Sequence, residues 1–385
     1  MKKITGEAKL TFWEATSIIV GHGVGSGILS VPYLASRNSW REIIWVIALC
    51  YGINLLMHLM IAELSYNNNG AQFVKCIESE LFKGKTKKIV TWIAFGFLGL
   101  SVFFNVVGFI TGGAAVLCSW FGIPSWAAKL IYYVVAASVV LFGMKIVGVC
   151  EKISVFAMTA VIGILFVATM LLDHTGFVNK FVASSNIVAL YSMVAFSLSA
   201  VMSVPQVVKG LEGDTKRIKA SIATGTAVNV ALILIITFMT LYACSGNVSQ
   251  DGALVDLGAR LGGWVGIVGY VFALLALSTS FWANTLNLRD IVNEQTGWGT
   301  KKSYLAISVP CLILSLLWSE SFVGFTRFAS VIQVLTGIGI ICAYHNSRKR
   351  SGESPICGKT GVLFFQILVV LSSVFATVGA LAKVL

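Results

Sequence analysis

The sequence predicts an all-α integral membrane protein of about 11 transmembrane helices, built as two inverted five-helix repeats with broken first and sixth helices and one helix added. Three observations predict this. First, 57% of the 385 residues are hydrophobic and only 11% charged, with a mean hydropathy of +0.87, more apolar than a soluble globule of this length. Second, the first apolar segment is interrupted at its centre by Gly21-His22-Gly23-Val24-Gly25-Ser26-Gly27, where a continuous helix is disfavoured because glycine loses the most entropy on becoming helical. Third, the sixth segment is interrupted in turn by Ser197, Ser199 and Ser203 followed by Pro205, whose ring removes a backbone donor and clashes with the preceding turn.

A membrane-crossing helix needs ~20 mostly apolar residues. Runs of this kind cover about residues 12–36, 41–64, 89–119, 126–145, 150–172, 187–209, 220–244, 264–292, 303–319, 323–345 and 360–384. Within the first, the groups freed at the glycine run must face protein, water or a ligand, so the break is a candidate binding site. The second holds His58, read as a packing or helix–helix hydrogen-bonding residue, as is Gln333 in the tenth. Between the second and third spans, Gln72 to Phe82 is amphipathic and predicts a short helix on the inner membrane face, with a solvated loop as the alternative. Gly108, Gly112 and Gly113 in the third span predict close helix approach. The breaks in spans one and six lie five spans apart, the spacing of an inverted repeat over about 12–172 and 187–345, with 360–384 outside it.

Charge sets the expected orientation. With the N-terminus inside, 21 of the 28 Lys and Arg residues fall in inner connections, and Arg37, Arg41, Lys129, Lys180, Arg260, Arg327 and Lys383 fall outside. The expectation is a multi-pass protein of the cytoplasmic membrane, N-terminus cytoplasmic and C-terminus outside, with no signal peptide. The formal charge of +12 lacks the interleaved pattern of a nucleic-acid-binding face, so its role is read as topological. Eight scattered cysteines form no metal or redox spacing, and the sequence leaves open whether Cys118 and Cys244 pair. There is no nucleotide-binding loop, catalytic triad or soluble domain, so no enzyme is expected.

The segment from Gly21 to Tyr33, Phe196 to Ser199 with Pro205, and Ser278-Thr279-Ser280-Phe281 in the eighth span together resemble the amino acid/polyamine/organocation superfamily with the LeuT-type fold. Within it, the sequence is most similar to bacterial members of the amino acid/auxin permease family. The resemblance implies a symporter of neutral L-amino acids working by alternating access, with an uncoupled exchanger or a non-transporting amino-acid receptor on the same fold as alternatives. A zwitterion suits a broken helix, which offers N–H groups to a carboxylate and carbonyls to an ammonium without any charged side chain. By resemblance, the N–H groups of Ser26 and Gly27 take the carboxylate, next to Gly25. The carbonyls of Gly23, Phe196 and Ser197 with the Ser199 hydroxyl take the ammonium. Phe196, Met202, Ser280, Asn284, Phe104 and Asn105 meet the side chain, and Phe196 is the gate; Trp282, in mid-span, also suits a medium to large neutral side chain.

In relatives, one sodium ion is held by equivalents of the Gly21, Val24 and Ala276 carbonyls and the Thr279 and Ser280 hydroxyls. Residues alone leave a second reading open, in which both hydroxyls bond back to their own helix. Proton coupling through His22 is the rival to sodium. Glu14 and Glu63, near inner helix ends, are expected to join Lys145 or Lys209 in an inner gate, or to be solvated. No other cofactor is expected, and the implied partners are the amino acid and the lipid bilayer.

Overall fold

The computed structural model describes residue 4 and residues 8–24, 26–172, 186–249, 253–318 and 322–381, and every regular element among them is helical. Gly25, Lys180 and Lys383 lie outside the described residues, as do the side chains of Ser26, Arg327 and Gln333. A helix, or a broken helix, lies at each of the eleven expected spans. Span 1 is Phe12–Gly23 (helix 1a), a 3-10 turn at Ser26–Leu29 and Val31–Ala35 (helix 1b). Span 6 is Ile187–Ser197 (helix 6a), a 3-10 turn at Val201–Ser203 and Val204–Gly210 (helix 6b). The continuous spans are Trp40–Asn67, Lys87–Phe121, Ser125–Leu141, Met144–Met170, Thr215–Ala243, Trp264–Thr296, Thr300–Leu317, Phe322–Ser351 and Leu363–Leu381. Seven of these, counting span 6 as one, are long and apolar enough to cross a membrane, and the first span adds an eighth as a pair bent by 55°.

Local sequence explains where the helices start. Span 1 opens with a capping box, Thr11 accepting from the Glu14 N–H while the Glu14 carboxylate accepts from the Thr11 N–H. Ser39 and Glu42 repeat it at span 2, and Asp214 caps span 7. Pro32 and Pro205 each stand in the first turn of the helix after a break, a position that tolerates the missing donor. The irregular segment of span 6 therefore lies before Pro205, over Leu198 to Ser203, where the serines are.

Broken span 1 packs on span 7, and broken span 6 packs on span 2, so each break is flanked by a continuous helix. Span 8 touches both 3-10 turns, and span 3 packs along span 8. Gly113 brings spans 3 and 4 together, since a β-carbon there would fall 2.2 Å from the Tyr132 ring. The buried ammonium of Lys129 in span 4 donates to the Ser315 carbonyl of span 9. Span 11 covers helix 6a, where the Tyr191 and Ser372 hydroxyls are hydrogen-bonded.

At four places the structure corrects, settles or adds to the sequence reading. The Gln72–Phe82 segment is a helix, Phe73–Leu81, but Phe73, Val74, Cys76 and Ile77 bury its apolar face against spans 3, 8 and 10, which offer more complementary apolar surface than a headgroup layer. A second short helix, Ala253–Leu261, lies between spans 7 and 8 where none was expected, packing Ala253 and Leu257 against its neighbours. Cys118 and Cys244 are free thiols. Glu63 pairs with neither Lys145 nor Lys209. Its carboxylate accepts from the Tyr344 hydroxyl at 2.9 Å, the Ser354 hydroxyl at 2.7 Å and the N–H groups of Ile356 and Cys357 at 3.0 and 2.8 Å. It anchors the loop after span 10, because that loop supplies converging donors that compete successfully for a buried carboxylate. Beside it, burial first and the Glu63 charge second push the Cys357 thiol up to about 12.

Candidate functional site

The two breaks face each other. A β-carbon on Gly27 would fall 2.6 Å from the Ser197 hydroxyl and 2.9 Å from the Phe196 ring, and one on Gly23 would fall 3.3 Å from the Ser197 carbonyl oxygen. Glycine at both positions is therefore a condition of the contact between span 1 and helix 6a. Four of the residues expected to bind substrate, Gly23, Gly27, Phe196 and Ser197, meet here. Phe196 is 53% exposed, and its ring lies against Gly27. The Ser197 hydroxyl donates to the Met193 carbonyl at 2.8 Å, and the Ser199 N–H to the Phe196 carbonyl at 3.1 Å.

Continuous spans satisfy much of the backbone freed in span 6. His58 of span 2 accepts the Ala200 N–H on Nε2 at 3.0 Å, with Nδ1 3.5 Å from the Thr226 hydroxyl of span 7. Because Nε2 accepts, the network assigns the proton to Nδ1. Asn287 of span 8 donates to the Met202 carbonyl at 3.1 Å and to the Gln72 side chain at 2.8 Å. His22, at the end of helix 1a, is 2.7 Å through Nδ1 from the Ser203 hydroxyl, which joins the two breaks. Each of these polar groups has a local structural partner.

On span 8, Asn284 donates to the Ser280 carbonyl at 2.8 Å and keeps a buried Oδ1 without a partner. Trp282 is buried and its indole donates to the Ala136 carbonyl of span 4 at 2.9 Å, so it packs the scaffold and is withdrawn from the expected lining. Phe104 of span 3 stacks on Phe325 of span 10, ring centres 6.4 Å apart, with Trp318 edge-on at 6.2 Å. Asn105 is buried on the same span.

The expected cation ligands converge in part. The Thr279 hydroxyl lies 2.8 Å from the Gly21 carbonyl oxygen and 2.9 Å from that of Ala276. A hydroxyl has one hydrogen, so it donates to one of these, and the second is an oxygen–oxygen approach. Three oxygens from helix 1a and span 8 thus cluster, and the contact with Ala276 is the approach back to its own helix that the residues alone had left open. Val24 and Ser280 are buried nearby in sequence, Val24 capping helix 1a.

Two residues of this region were not singled out from sequence. Asn229 of span 7 would sit 2.1 Å from a β-carbon on Gly23, donates to the Ile19 carbonyl at 3.3 Å and keeps Oδ1 unpartnered. Glu151 of span 5 is fully buried against Gly21. An asparagine in one apolar helix, and a glutamate just inside another next to Lys152, give no sign in sequence of which way they point.

At the N-terminal end of the bundle, ion pairs tie the broken helices to their surroundings. Lys145 of span 5 donates to both Glu14 oxygens, at 2.8 and 2.6 Å. Lys209 of helix 6b lies 2.6 Å from Glu294 and 3.8 Å from Asp290, both on span 8. Lys9 pairs with Glu212 at 2.8 Å. Glu14, Lys145 and Lys209 were anticipated as gate residues; the carboxylates on span 8 were not.

The profile of the tryptophan/tyrosine permease family matches residues 8–382. Among curated relatives, the tryptophan-specific transport protein of Pseudomonas aeruginosa is 24% identical over 396 residues, covering 96% of this chain and 93% of that one. The tyrosine-specific transport system 1 of Haemophilus influenzae is 22% identical over 340 residues, covering 80% and 81%. Among solved structures, MhsT in complex with L-phenylalanine superposes with a TM-score of 0.71 at 15% identity, covering 97% of this chain and 99% of that one. This likeness establishes the LeuT-type fold.

Proposed function

The chain belongs to the tryptophan/tyrosine permease family, and from that premise we propose that it is a secondary active transporter of aromatic L-amino acids, working by alternating access with one sodium ion as the coupling cation. Membership corrects the expectation of the amino acid/auxin permease family. The glycine-rich first span that carried that resemblance is a requirement of the broken-helix fold and does not separate families within it. The family and the named relatives are transport proteins, so the chain is not an enzyme.

The observation that carries the reading is the junction of Gly23 and Gly27 with Phe196 and Ser197. The first N–H groups of a helix lack intrahelical acceptors, so the start of the Ser26–Leu29 turn is suited to a carboxylate. The carbonyl of Ser197, held against Gly23, is suited to an ammonium. The aromatic preference is supported by the half-exposed Phe196 ring, a large flat surface for offset stacking, and by the substrates for which the two curated relatives are named. Sodium is supported by the Gly21–Ala276–Thr279 oxygen cluster. A proton is the alternative cation.

In this reading the Glu14–Lys145 and Lys209–Glu294 pairs hold the N-terminal end shut. The Lys and Arg bias supports assigning the closed end to the cytoplasm. Substrate and cation release requires those pairs to part as helices 1a and 6b swing away. Thermal unfolding of the purified protein against the common amino acids tests the substrate class, because a ligand that binds only the folded state raises apparent stability. Tryptophan, tyrosine or phenylalanine is expected to give the largest shift; a shift confined to small aliphatic amino acids refutes the aromatic assignment.

A further inference from the structure

Span 5 carries an ionisable group that the proposed mechanism does not yet use. Glu151 has 0% exposure, and both its carboxylate oxygens lack a hydrogen-bond partner among the described residues. It makes no ion pair among them either: on the same helix Lys145 is engaged with Glu14, and no ion pair joins Glu151 to the adjacent Lys152. A bare carboxylate in so apolar a setting is strongly disfavoured unless a cation or a bound proton neutralises it. Every other buried carboxylate described near a helix end has a partner: Glu14 has Lys145, Glu63 has four donors, Glu80 has Arg350, and Asp290 has Arg289. Glu151 is the exception.

Its position is specific. A β-carbon on Gly21 would fall 1.9 Å from Glu151 Oε2 and 3.1 Å from Thr279 Cβ, so the carboxylate and Thr279 converge on the same side of Gly21. The Thr279 hydroxyl is itself 2.8 Å from the Gly21 carbonyl oxygen. Spans 1, 5 and 8 therefore bring together two carbonyls, a hydroxyl and an orphaned carboxylate. Span 5 packs on both of the others, which holds this arrangement in place.

The geometry points to Glu151 as the anionic ligand of the coupling cation: a sodium ion bound between Gly21, Ala276 and Thr279 is completed and neutralised by the Glu151 carboxylate. Hard monovalent cations take oxygen ligands, and one carboxylate with neutral oxygens gives a site of net charge zero once filled. With a zwitterionic substrate, the loaded carrier then buries no net charge here, whereas without sodium the same carboxylate must either bury an unpaired negative charge or take up a proton. Sodium binding thereby removes an electrostatic penalty from the same helix, 1a, that carries the substrate junction. This supplies a physical basis for coupling. Glycine at position 21 follows as a requirement, since any side chain there displaces the carboxylate.

The inference rests on the transporter reading, and its test separates the two. Purified protein is titrated with sodium chloride at ionic strength held constant with choline chloride, and thermal stability is read without substrate and then with saturating tryptophan. Wild type is expected to show saturable stabilisation by sodium alone. Glu151→Gln is expected to weaken the half-saturating sodium concentration by tenfold or more while still being stabilised by tryptophan, and Glu151→Asp to retain an intermediate sodium response, which guards against misfolding of the amide variant. An unchanged sodium response in Glu151→Gln overturns the assignment. So does stabilisation of wild type by acid and not by sodium, which makes Glu151 a proton site. Loss of every amino-acid response in wild type counts instead against the transporter reading.

Discussion

At the scale of single residues, the site is defined by where a side chain is forbidden. Gly23 and Gly27 touch helix 6a and Asn229 at distances a methyl group cannot share, so Gly23→Val is expected to abolish tryptophan-induced thermal stabilisation while the variant remains folded by circular dichroism. Retained stabilisation would move the substrate elsewhere. His58 accepts the Ala200 N–H from a segment with no helical partner. Replacing it by Phe leaves a buried donor unsatisfied, at a cost of about 1–3 kcal/mol, and Gln, which keeps an acceptor, is expected to recover part of that loss in a denaturation midpoint. The Cys357 thiol, held up near 12 by burial and by the Glu63 charge, is protonated at neutral pH, so it is expected to resist maleimide until the loop is released by Glu63→Ala. Part of this level was legible in the sequence: the glycines and Ser197 stood out because their types are anomalous in an apolar helix, and Phe196 and Thr279 were named through the family resemblance. Glu151 and Asn229 were not, because sequence gives a polar residue in a span no direction, and only packing shows that both point at the first break. Glu63 was misassigned for a related reason, its partners being contributed by a loop some 290 residues away in sequence.

At the scale of elements, the breaks are stabilised by the unbroken helices beside them, which explains why their existence was legible while their local geometry was not. Proline at 205 announced a break, yet the irregular backbone lies before it, since proline is compatible with the first turn of helix 6b. The ion pairs at the N-terminal end join the broken helices to neighbours: 1a to span 5 and 6b to span 8. Lys209→Met is expected to favour the inward-open state, seen as a several-fold rise in labelling of a cysteine introduced at Met202 by an impermeant reagent applied to inside-out vesicles. Equal labelling with and without Lys209 would deny these pairs a gating role. The Phe73–Leu81 helix belongs to the same end, since its cap residue Gln72 donates from its backbone to Glu294 at 2.8 Å and binds Asn287 through its side chain. Glu294 thus links helix 6b, through Lys209, to this short helix, a connection invisible to amphipathic periodicity alone.

At the scale of the whole molecule, composition and the two breaks five spans apart sufficed for the architecture, because the bilayer permits few alternatives to helices and makes any interruption conspicuous. The family was beyond their reach, as the features demanded by the fold are common to its several families. The central claim, coupled transport of an aromatic amino acid, is tested most directly by uptake of labelled tryptophan into proteoliposomes under an imposed inward sodium gradient, compared with a proton gradient and with none. The account predicts accumulation above equilibrium with sodium, abolished by Gly23→Val. Gradient-independent counterflow would identify an exchanger, accumulation driven by protons alone would replace the cation, and saturable tryptophan binding without any flux would contradict the transport claim itself.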